Sequence, residues 1–465
     1  MNKRSTILPF GGLFLLGLFA APVYAQTIAS HPMTLGEALA ITETHAQPVT
    51  AARATIASTR AQRLGAVAAF LPSLSISDQD QYYRPLQRTA NNSTVVAGTL
   101  VSASQPFYNN ATTANFSLNV YNGGKDVATY HASLDSLNSA DMGLDAALNS
   151  SFEQVLGDFE ALAADQATIA TQGRIVALDS EIGQLTAQRM ASQASSRIDL
   201  IQTQQQALAA ETQLSQDRQQ EMKDREQLER SMGYLAPAAP WRVEESLPPA
   251  PAVAPGRYPV LADPAVQSAY DQVLAAQLQV DAARAAYKPT VALVAQYNLL
   301  GLSTTAMGPA LSATMANNYA VGISVSMPLL PFYNTVSAVD TARANVETNI
   351  SAYQSALAAA SSRGESAFQQ YGEAQQGYEL AVQSAQLAKA NVDLTDSRYQ
   401  AHRSSRIDVD RARLLAEQSD LSVITTKLSL RLSAWKLYRA AHPEDFAAAL
   451  LQATARPYSS HLAGR

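Results

Sequence analysis

The stretch "SSRID" occurs twice in this chain, at residues 195–199 and again at residues 404–408. Each copy lies within a long interval without proline, between Pro106 and Pro237 in the first half and between Pro331 and Pro443 in the second. A serine followed three residues later by an aspartate is typical of a capping box at a helix start. The repeat therefore predicts two helical hairpins, in each of which a long helix ends, turns and is followed by a returning helix.

The proline-free intervals carry apolar residues at a spacing of seven. One row is Leu148, Val155, Leu162, Ile169 and Val176; a second is Leu380, Leu387 and Leu394; a third is Ile407, Leu414, Leu421, Leu428 and Trp435. A seven-residue period keeps one face toward a neighbour only when helices supercoil in the left-handed sense. The small residues between these rows favour a curved wall of close-packed helices over a two-stranded zipper.

A pair of alternating segments precedes each helical interval. In residues 319–327, for example, Tyr319, Val321 and Ile323 alternate with small or polar residues. About ten residues with one apolar face are typical of a membrane β-strand between lipid and an aqueous lumen. The same pattern also fits the half-buried strands of a soluble β-sandwich, so periodicity leaves both structures open.

The two strand regions also correspond in sequence. "AFLPSLSIS" at 69–77 aligns with "AYKPTVALV" at 286–294, at an offset close to that of the SSRID pair. The chain is therefore predicted to be a tandem duplication of helix, strand pair, very long helix, turn and returning helix. Four strands cannot close a membrane barrel, and open edges in lipid would leave backbone N–H and C=O groups unsatisfied. Several copies must then share one barrel.

The first 25 residues have the features of a secretory signal peptide. Lys3 and Arg4 precede an apolar run from Ile7 to Phe19, which is short for a membrane span, and the small residues of a cleavage site end at Ala25. We therefore expect the mature protein to lie outside the cytoplasm. The chain has no cysteine, which excludes disulfides and a Cys-linked lipid anchor.

Composition and motifs argue against other classes of function. The net charge is −6 with 15% charged residues, so no basic patch for nucleic acid is expected. The six histidines show no metal-ligand spacing, and there is no phosphate loop or nucleophile elbow. We predict neither an enzyme nor a cofactor. A periplasmic coiled-coil scaffold without a pore, with the strands forming soluble hairpins, is the alternative to a channel.

Three segments in this order resemble the TolC-like outer-membrane efflux protein (outer membrane factor) family. They are "MTLGEALAITETHAQPVTAARATIASTRAQRLGAVAAFLPSLSIS" at 33–77, "LNVYNGGKDVATYHAS" at 118–133 and "DPAVQSAYDQVLAAQLQVDAARAAYKPTVALVAQY" at 263–297. The resemblance implies a mainly α-helical fold with membrane β-structure. It implies a homotrimer in which each tandem-duplicated protomer gives four strands to a 12-stranded outer-membrane barrel, continued by a long α-helical tunnel in the periplasm of a Gram-negative bacterium.

The resemblance also implies a function and its partners. Members are passive exit channels of tripartite efflux pumps or type I secretion systems, gated at the periplasmic tip. They are opened by docking to a periplasmic adaptor (membrane fusion protein) and an inner-membrane transporter. The sequence leaves open whether a drug, a metal ion, a siderophore or a polypeptide passes through.

These considerations divide the chain into nine segments. They are a signal peptide (1–25), N-terminal helices (26–71), the first β-strand pair with its extracellular loop (72–122), the first long helical hairpin (123–235), a proline-rich connector in the equatorial region (236–262), a helix (263–288), the second β-strand pair with its extracellular loop (289–330), the second long helical hairpin (331–441) and a C-terminal tail (442–465).

The family's turn motif, Arg-aromatic-x-x-Gly-x-x-Ser-x-x-Asp, places the candidate site. It corresponds to "RMASQASSRID" at 189–199 and "RYQAHRSSRID" at 398–408. The resemblance implies that Asp408 lines the closed constriction and that Tyr399 and Asp199 form a hydrogen bond that holds the tip shut. Helix capping alone is the simpler explanation of the repeated motif.

This sequence departs from the family pattern in ways that affect the expected gate and docking surface. Gln193 and His402 replace the glycine, and Arg411 replaces an acid that some members carry one turn after the constriction aspartate. An i,i+3 pair with Arg411 would neutralise Asp408, so that the three copies of Asp408 in the trimer would form a weak acidic ring or none. The tip residues expected to dock the adaptor are Gln193, Ser195, Ser196, Arg197, His402, Arg403, Ser404, Ser405 and Arg406.

Overall fold

A computed structural model describes residues 32–83, 93–96, 99–102, 107–233, 242–243, 247–253, 258–303, 305–312, 314–328 and 332–455. The predicted signal peptide, residues 1–25, lies outside the described residues. So does most of the proline-rich stretch between 234 and 257, apart from the short segments given above.

The described chain contains nine α-helices and six β-strands. The helices are α1 (Leu35–His45), α2 (Gln47–Ala68), α3 (Lys125–Ala191), α4 (Arg197–Met232), α5 (Pro264–Arg284), α6 (Met307–Ser312), α7 (Phe332–Gln400), α8 (Arg406–Ala441) and α9 (Phe446–Ala455). The strands are β1 (Ser73–Tyr83), β2 (Ser93–Val96), β3 (Thr99–Ser102), β4 (Phe107–Asn122), β5 (Thr290–Ser303) and β6 (Thr314–Ser326). The order α2-β1-β4-α3-α4 is repeated as α5-β5-β6-α7-α8, which confirms the tandem duplication.

The four long strands form one antiparallel sheet in the order β1-β4-β5-β6. In the half of the sheet nearer the long helices, one face is apolar and exposed in the single chain: Ile76, Val321 and Ile323 are each more than 70% exposed. The other face is polar, with Asn298 accepting a hydrogen bond from Thr113 (3.0 Å) and donating one to Asn318 (2.7 Å). A sheet with an exposed apolar face and a polar face fits lipid on one side and water on the other. In the sequence, the short β2–β3 hairpin separates β1 from β4, and it forms a sheet of its own. It was not predicted from the sequence.

Helix α6 lies against the polar face of the sheet. It contacts β4 and β5 at the end that is farthest from the long helices. At this end Phe107, Asn109 and Leu300, which share the polar face, are almost fully buried, and so is Ala310 of α6. The extracellular loop expected between β5 and β6 therefore folds back over the polar side of the strands.

The long helices pack as two hairpins, α3 with α4 and α7 with α8, and α8 also packs along α3. Toward the sheet, α2 and α5 pack on α3, and α5 also packs on α7. The heptad residues Val155 and Leu162 are fully buried, whereas Leu387, from the row on α7, is 73% exposed in the single chain. That row is therefore not part of the protomer's own core.

The apolar core surrounds the middle of α3. Phe152 and Phe159 pack there with Trp435 of α8 and with Phe446 and Leu450 of α9. Trp435 donates a hydrogen bond from Nε1 to the carbonyl of Pro248 at 2.9 Å. The segment 442–465, expected to be a tail, thus contains a helix whose apolar residues complete this core.

Two glycines connect β4 to α3. Gly123 and Gly124 have φ of +61° and +90°, in the left-handed region that glycine adopts without steric cost. A Cβ on Gly123 would also lie 2.4 Å from the carbonyl oxygen of Ala285. The sharp turn from strand into helix therefore requires glycine at this position.

Among the helices that the structure describes, none combines the length and apolarity needed to cross a bilayer.

Candidate functional site: the tip of the helical hairpins

The candidate site is the end of the two hairpins away from the sheet, here called the hairpin tip (residues 189–199 and 398–411). In the first hairpin, the N–H of Ala194 donates to the carbonyl of Arg189 (2.8 Å) and that of Gln193 to the carbonyl of Met190 (3.0 Å). This pair of bonds is a Schellman motif, which requires a left-handed residue just after the helix. Gln193 is that residue, with φ +60°.

The second turn has the same backbone. The N–H of Arg403 donates to the carbonyl of Arg398 (2.8 Å) and that of His402 to the carbonyl of Tyr399 (2.9 Å). His402 has φ +56°. Gln193 and His402 thus occupy the positions that correspond to glycine in the motif that the sequence resembles, and the Cβ of each has a steric cost of about 1 kcal/mol.

The first SSRID copy is a complete capping box. The N–H of Asp199 donates to Ser196 Oγ (3.1 Å), and Asp199 Oδ2 accepts from the N–H of Ser196 (3.0 Å) and from Ser195 Oγ (3.1 Å). These hydrogen bonds, that from the Ser196 backbone first, lower the pKa of the Asp199 carboxyl, and the charge of Arg411 adds to the effect. Capping keeps Asp199 ionised.

The second copy repeats this geometry. Asp408 Oδ2 accepts from the N–H of Ser405 (2.9 Å) and from Ser405 Oγ (2.7 Å). The backbone bond from Ser405 is the main cause of a lowered pKa of the Asp408 carboxyl, with smaller effects from the charges of Arg411 and Arg189. The capping function proposed for both repeats is confirmed.

The charge of Arg411 acts on both of the capped aspartates. Its charge lowers the pKa of both Asp199 and Asp408. Among the described residues no ion pair joins Arg411 to Asp408, so the direct i,i+3 pair considered from the sequence is not formed in the single chain. Arg411 therefore stabilises the charged form of Asp408 and does not cover it.

Tyr399 lies at the end of α7 and is 39% exposed. The described residues of this single chain include no hydrogen bond between the Tyr399 hydroxyl and the Asp199 carboxylate, whose Oδ2 serves its own cap. The predicted bond that holds the tip shut therefore stays a prediction about the assembled, closed channel.

Arg406 differs from the other residues predicted to dock a partner. Its Nε donates to Asp410 Oδ2 (3.2 Å) and its Nη2 to Glu181 Oε1 of α3 (3.3 Å). The Asp410 side chain is fully buried. Burial raises the pKa of the Asp410 carboxyl, and the charge of Arg406 opposes that rise. Arg406 thus joins α8 to α3, and sequence reasoning missed both acids, although Asp410 is one helical turn away.

The exposed surface of the hairpin tip is rich in arginine. Of the predicted docking residues, Gln193, Ser196, Arg197, His402 and Arg403 are exposed, whereas Ser195, Ser404, Ser405 and Arg406 are half-buried. In the described part of the chain, no group of three or more histidine or acidic side chains is arranged to hold a metal ion. The hairpin tip is therefore a polar, charged surface.

Comparison with known proteins agrees with this architecture. The family model described as "Outer membrane efflux protein" matches residues 42–234 and 261–441, which is most of the chain. A search of curated protein sequences found no significant match.

Several solved structures share the fold. The Campylobacter jejuni CmeC outer membrane channel is 15% identical with a TM-score of 0.72, over 90% of this chain and 89% of that chain. The open state of the Neisseria gonorrhoeae MtrE outer membrane channel is 18% identical with a TM-score of 0.67, over 88% of both chains. The outer membrane protein VceC from Vibrio cholerae is 17% identical with a TM-score of 0.68, over 88% of this chain and 95% of that chain. By its sequence match and its fold, this chain belongs to the outer membrane efflux protein family.

Proposed function

We propose that three copies of this chain form a passive exit channel in the outer membrane, gated at the hairpin tip and opened by a periplasmic adaptor and an inner-membrane transporter. The observation that carries this proposal is the set of surfaces that one chain leaves without a partner. They occur in the sheet and in the helices, and they are mutually complementary.

The first such surface is the sheet edge. Strands β1 and β6 are the two edges of the four-stranded sheet, and the sheet is antiparallel throughout. Strand β6 of one copy can pair in antiparallel fashion with β1 of the next, so that the ring closes without an open edge. In lipid, closure is required because an unpaired edge leaves several backbone groups unsatisfied.

The second surface lies on the helices. Within one chain α8 packs on α3, but α4, the equivalent of α8 in the first repeat, has no comparable contact with α7 among the described residues. The tandem repeat therefore supports packing of α4 of one copy on α7 of the next, in the way that α8 packs on α3.

The exposed apolar residues of α4 and α7 lie at equal distances from their turns. Ile201 and Leu208 of α4 are 46% and 63% exposed, and Leu394 and Leu387 of α7 are 55% and 73% exposed. Ile201 and Leu394 are each eight residues from the left-handed residue of their turn, and Leu208 and Leu387 are each fifteen. Antiparallel helices would thus bring Ile201 to Leu394 and Leu208 to Leu387.

Cysteine cross-linking tests this assembly directly, because the chain has no cysteine of its own. The Leu208→Cys/Leu387→Cys protein is expected to form disulfide-linked trimers on mild oxidation, since a disulfide needs Cα atoms within about 7 Å. Leu208→Cys/Leu394→Cys is the matched control, because the second cysteine moves by about 10 Å along α7. Cross-linking of the control but not of the first pair would exclude this packing.

Conductance in planar bilayers and hydrophobic photolabelling test the channel itself. Purified trimers are expected to conduct, and a lipid-soluble label is expected to react with Val321, Ile323 and Val325. A periplasmic scaffold would give neither result. A chain that stays monomeric and soluble without detergent would contradict the proposal.

The gate is part of the same proposal. Asp408 would line the closed constriction, and Tyr399 and Asp199 would form the hydrogen bond that holds it closed, at about 1 kcal/mol for each bond. The Tyr399→Phe/Asp199→Ala protein is expected to conduct more than the wild type. Ser196→Ala is the control, because it removes the α4 cap and keeps the carboxylate. Unchanged conductance in an assembled double variant would show that the Tyr399–Asp199 hydrogen bond does not hold the channel closed.

A further inference from the structure

The hairpin tip has a charge opposite to that of the chain as a whole. Residues 189–199 and 398–411 contain six arginines and three aspartates, a net charge of +3 on a chain whose total is −6. In three copies the tip would carry +9. A concentration of one sign at the end of a long molecule attracts partners of the opposite sign and raises their rate of association.

The acidic residues of the tip already form hydrogen bonds or ion pairs within the chain. Asp199 and Asp408 accept the hydrogen bonds of their own capping boxes, at the positive ends of α4 and α8. Asp410 is buried and paired with Arg406. The net charge of +3 already counts these three carboxylates, and within the described residues none of them forms an ion pair with Arg197 or Arg403.

Two arginines at the turns are free to meet a partner. Arg197 and Arg403 are exposed, and none of the ion pairs formed within the described residues includes either side chain. A guanidinium binds a carboxylate through two parallel hydrogen bonds, which lysine cannot reproduce. Arg406, the repeat equivalent of Arg197, is committed to Glu181 and Asp410.

Beside these arginines lie the two strained residues, Gln193 and His402. Both have φ near +60°, where glycine would cost less, and both side chains are exposed. Residues held in sparsely populated backbone conformations cluster at functional sites such as ligand-binding and switch regions. Each adds hydrogen-bonding groups to the exposed surface of its turn.

We propose that the hairpin tip binds a partner whose docking end is acidic: a periplasmic helical-hairpin protein with Asp or Glu side chains in its turn. Arg197 and Arg403 bind these carboxylates, and Gln193 and His402 add hydrogen bonds beside them. This inference rests on the proposed function, since it names the chemistry of the adaptor that would open the channel.

The test uses purified wild-type trimer and a defined probe. The probe is a hexameric scaffold that displays six identical helical hairpins, with two glutamates, two glutamines or two lysines in each turn. Binding is measured by biolayer interferometry in 0.15 M NaCl. We expect the glutamate probe to bind at least tenfold more tightly than the glutamine probe, and the lysine probe to bind least.

Charge reversal supplies the matched comparison. Arg197→Glu/Arg403→Glu is expected to weaken binding of the glutamate probe at least tenfold and to favour the lysine probe. Arg60→Glu/Arg63→Glu carries the same charge change on exposed residues of α2 and is expected to bind as the wild type does. Equal binding of the three probes, or the same loss in both double variants, would overturn the inference.

Conductance separates this inference from the proposed function. Every protein is first shown to be a conducting trimer. A wild-type protein that does not assemble or conduct contradicts the proposed function. A conducting trimer that does not distinguish the probes contradicts only the acidic partner.

Discussion

The two helical hairpins have the same turns but differ along the contact between their two helices, here called the seam (α3 with α4 in the first hairpin, α7 with α8 in the second). Between α3 and α4 the facing side chains include five acids, Asp158, Asp165, Asp217, Glu221 and Asp224. Burial first, and then the charge of Asp224, raise the pKa values of the Asp158 and Asp165 carboxyls. The positions 209 residues later in α7 and α8 are Ala367, Ala374, Thr426, Leu430 and Ser433. The turn is thus the same in both copies of the duplication, whereas these five positions are acidic in the first hairpin and uncharged in the second.

The charged seam makes the first hairpin sensitive to protonation. Burial raises the pKa of Asp165 to about 7, and a hydrogen bond and charge repulsion from Asp224, with charges from Glu221 and Asp217, contribute to the rise. Arg225 pairs with Glu221 and offsets part of this repulsion. The second hairpin has no equivalent group at these positions.

The turns themselves differ in what surrounds them. Ile198 and Ile407 occupy the same place in the SSRID repeat, yet Ile198 is 67% exposed and Ile407 is 8% exposed. Ile407 shares a cleft with Leu185 and Arg189 at the end of α3. Identical local sequence therefore gives identical backbone, while burial depends on which helix lies alongside.

The largest expected effect is a difference in stability between substitutions of Ile407 and of Ile198. Ile407→Ala should lower the free energy of local unfolding at the start of α8 by about 2 kcal/mol, because it leaves a cavity against α3. Ile198→Ala should leave α8 unchanged and act only where a neighbouring copy covers it. Hydrogen exchange of residues 405–412, with the heat resistance of the trimer, checks both. Faster exchange of α8 in Ile198→Ala would contradict the comparison.

A smaller effect concerns the seams. Because the pKa of Asp165 is raised in the folded chain, its contribution to stability is fully present below its ordinary pKa and is lost as pH rises through about 7. Asp165→Asn should therefore raise the free energy of unfolding at pH 8 by about 1 kcal/mol and have little effect at pH 5.

Thermal unfolding followed by circular dichroism between pH 5 and pH 8 provides the measurement. Ala374→Asn, at the equivalent uncharged position of α7, is the control and should not change the pH dependence. An Asp165→Asn protein with the wild-type pH dependence would show that this carboxyl is not the sensitive group.

The smallest effect concerns the left-handed residues of the turns. Gln193→Gly and His402→Gly should each stabilise the turn by up to about 1 kcal/mol, since glycine has no Cβ to be strained. Gln193→Ala keeps the Cβ and should give no gain. Denaturant unfolding of the trimers measures the difference. A loss of stability in both glycine variants would show that the side chains of Gln193 and His402 hold the turns together.

The sequence was sufficient for the features that depend on local chemistry. The capping boxes at Ser196 and Ser405, the alternation in β6 and the order of the duplicated elements all follow from short-range patterns. The fold of the protomer was predictable to that extent.

Features that depend on distant contacts were not predictable. Arg406 looks like a docking residue in sequence because its partner Glu181 is 225 residues away. The heptad row on α7 indicated packing, but the sequence did not show that this row is exposed in the single chain. Helix α9 escaped notice because its role depends on Phe446 reaching Trp435, and the carboxyls of the α3–α4 seam are recognisable only when the two helices are brought together.

Helix α6 has a consequence for transport at the other extremity of the molecule. Since it rests on the water-facing side of β4 and β5, a ring of three protomers would hold three such helices inside its outward mouth. If the hairpin tip is the gate proposed above, opening it would not by itself widen the channel along its whole length, because cargo would still have to pass these three helices before reaching the medium.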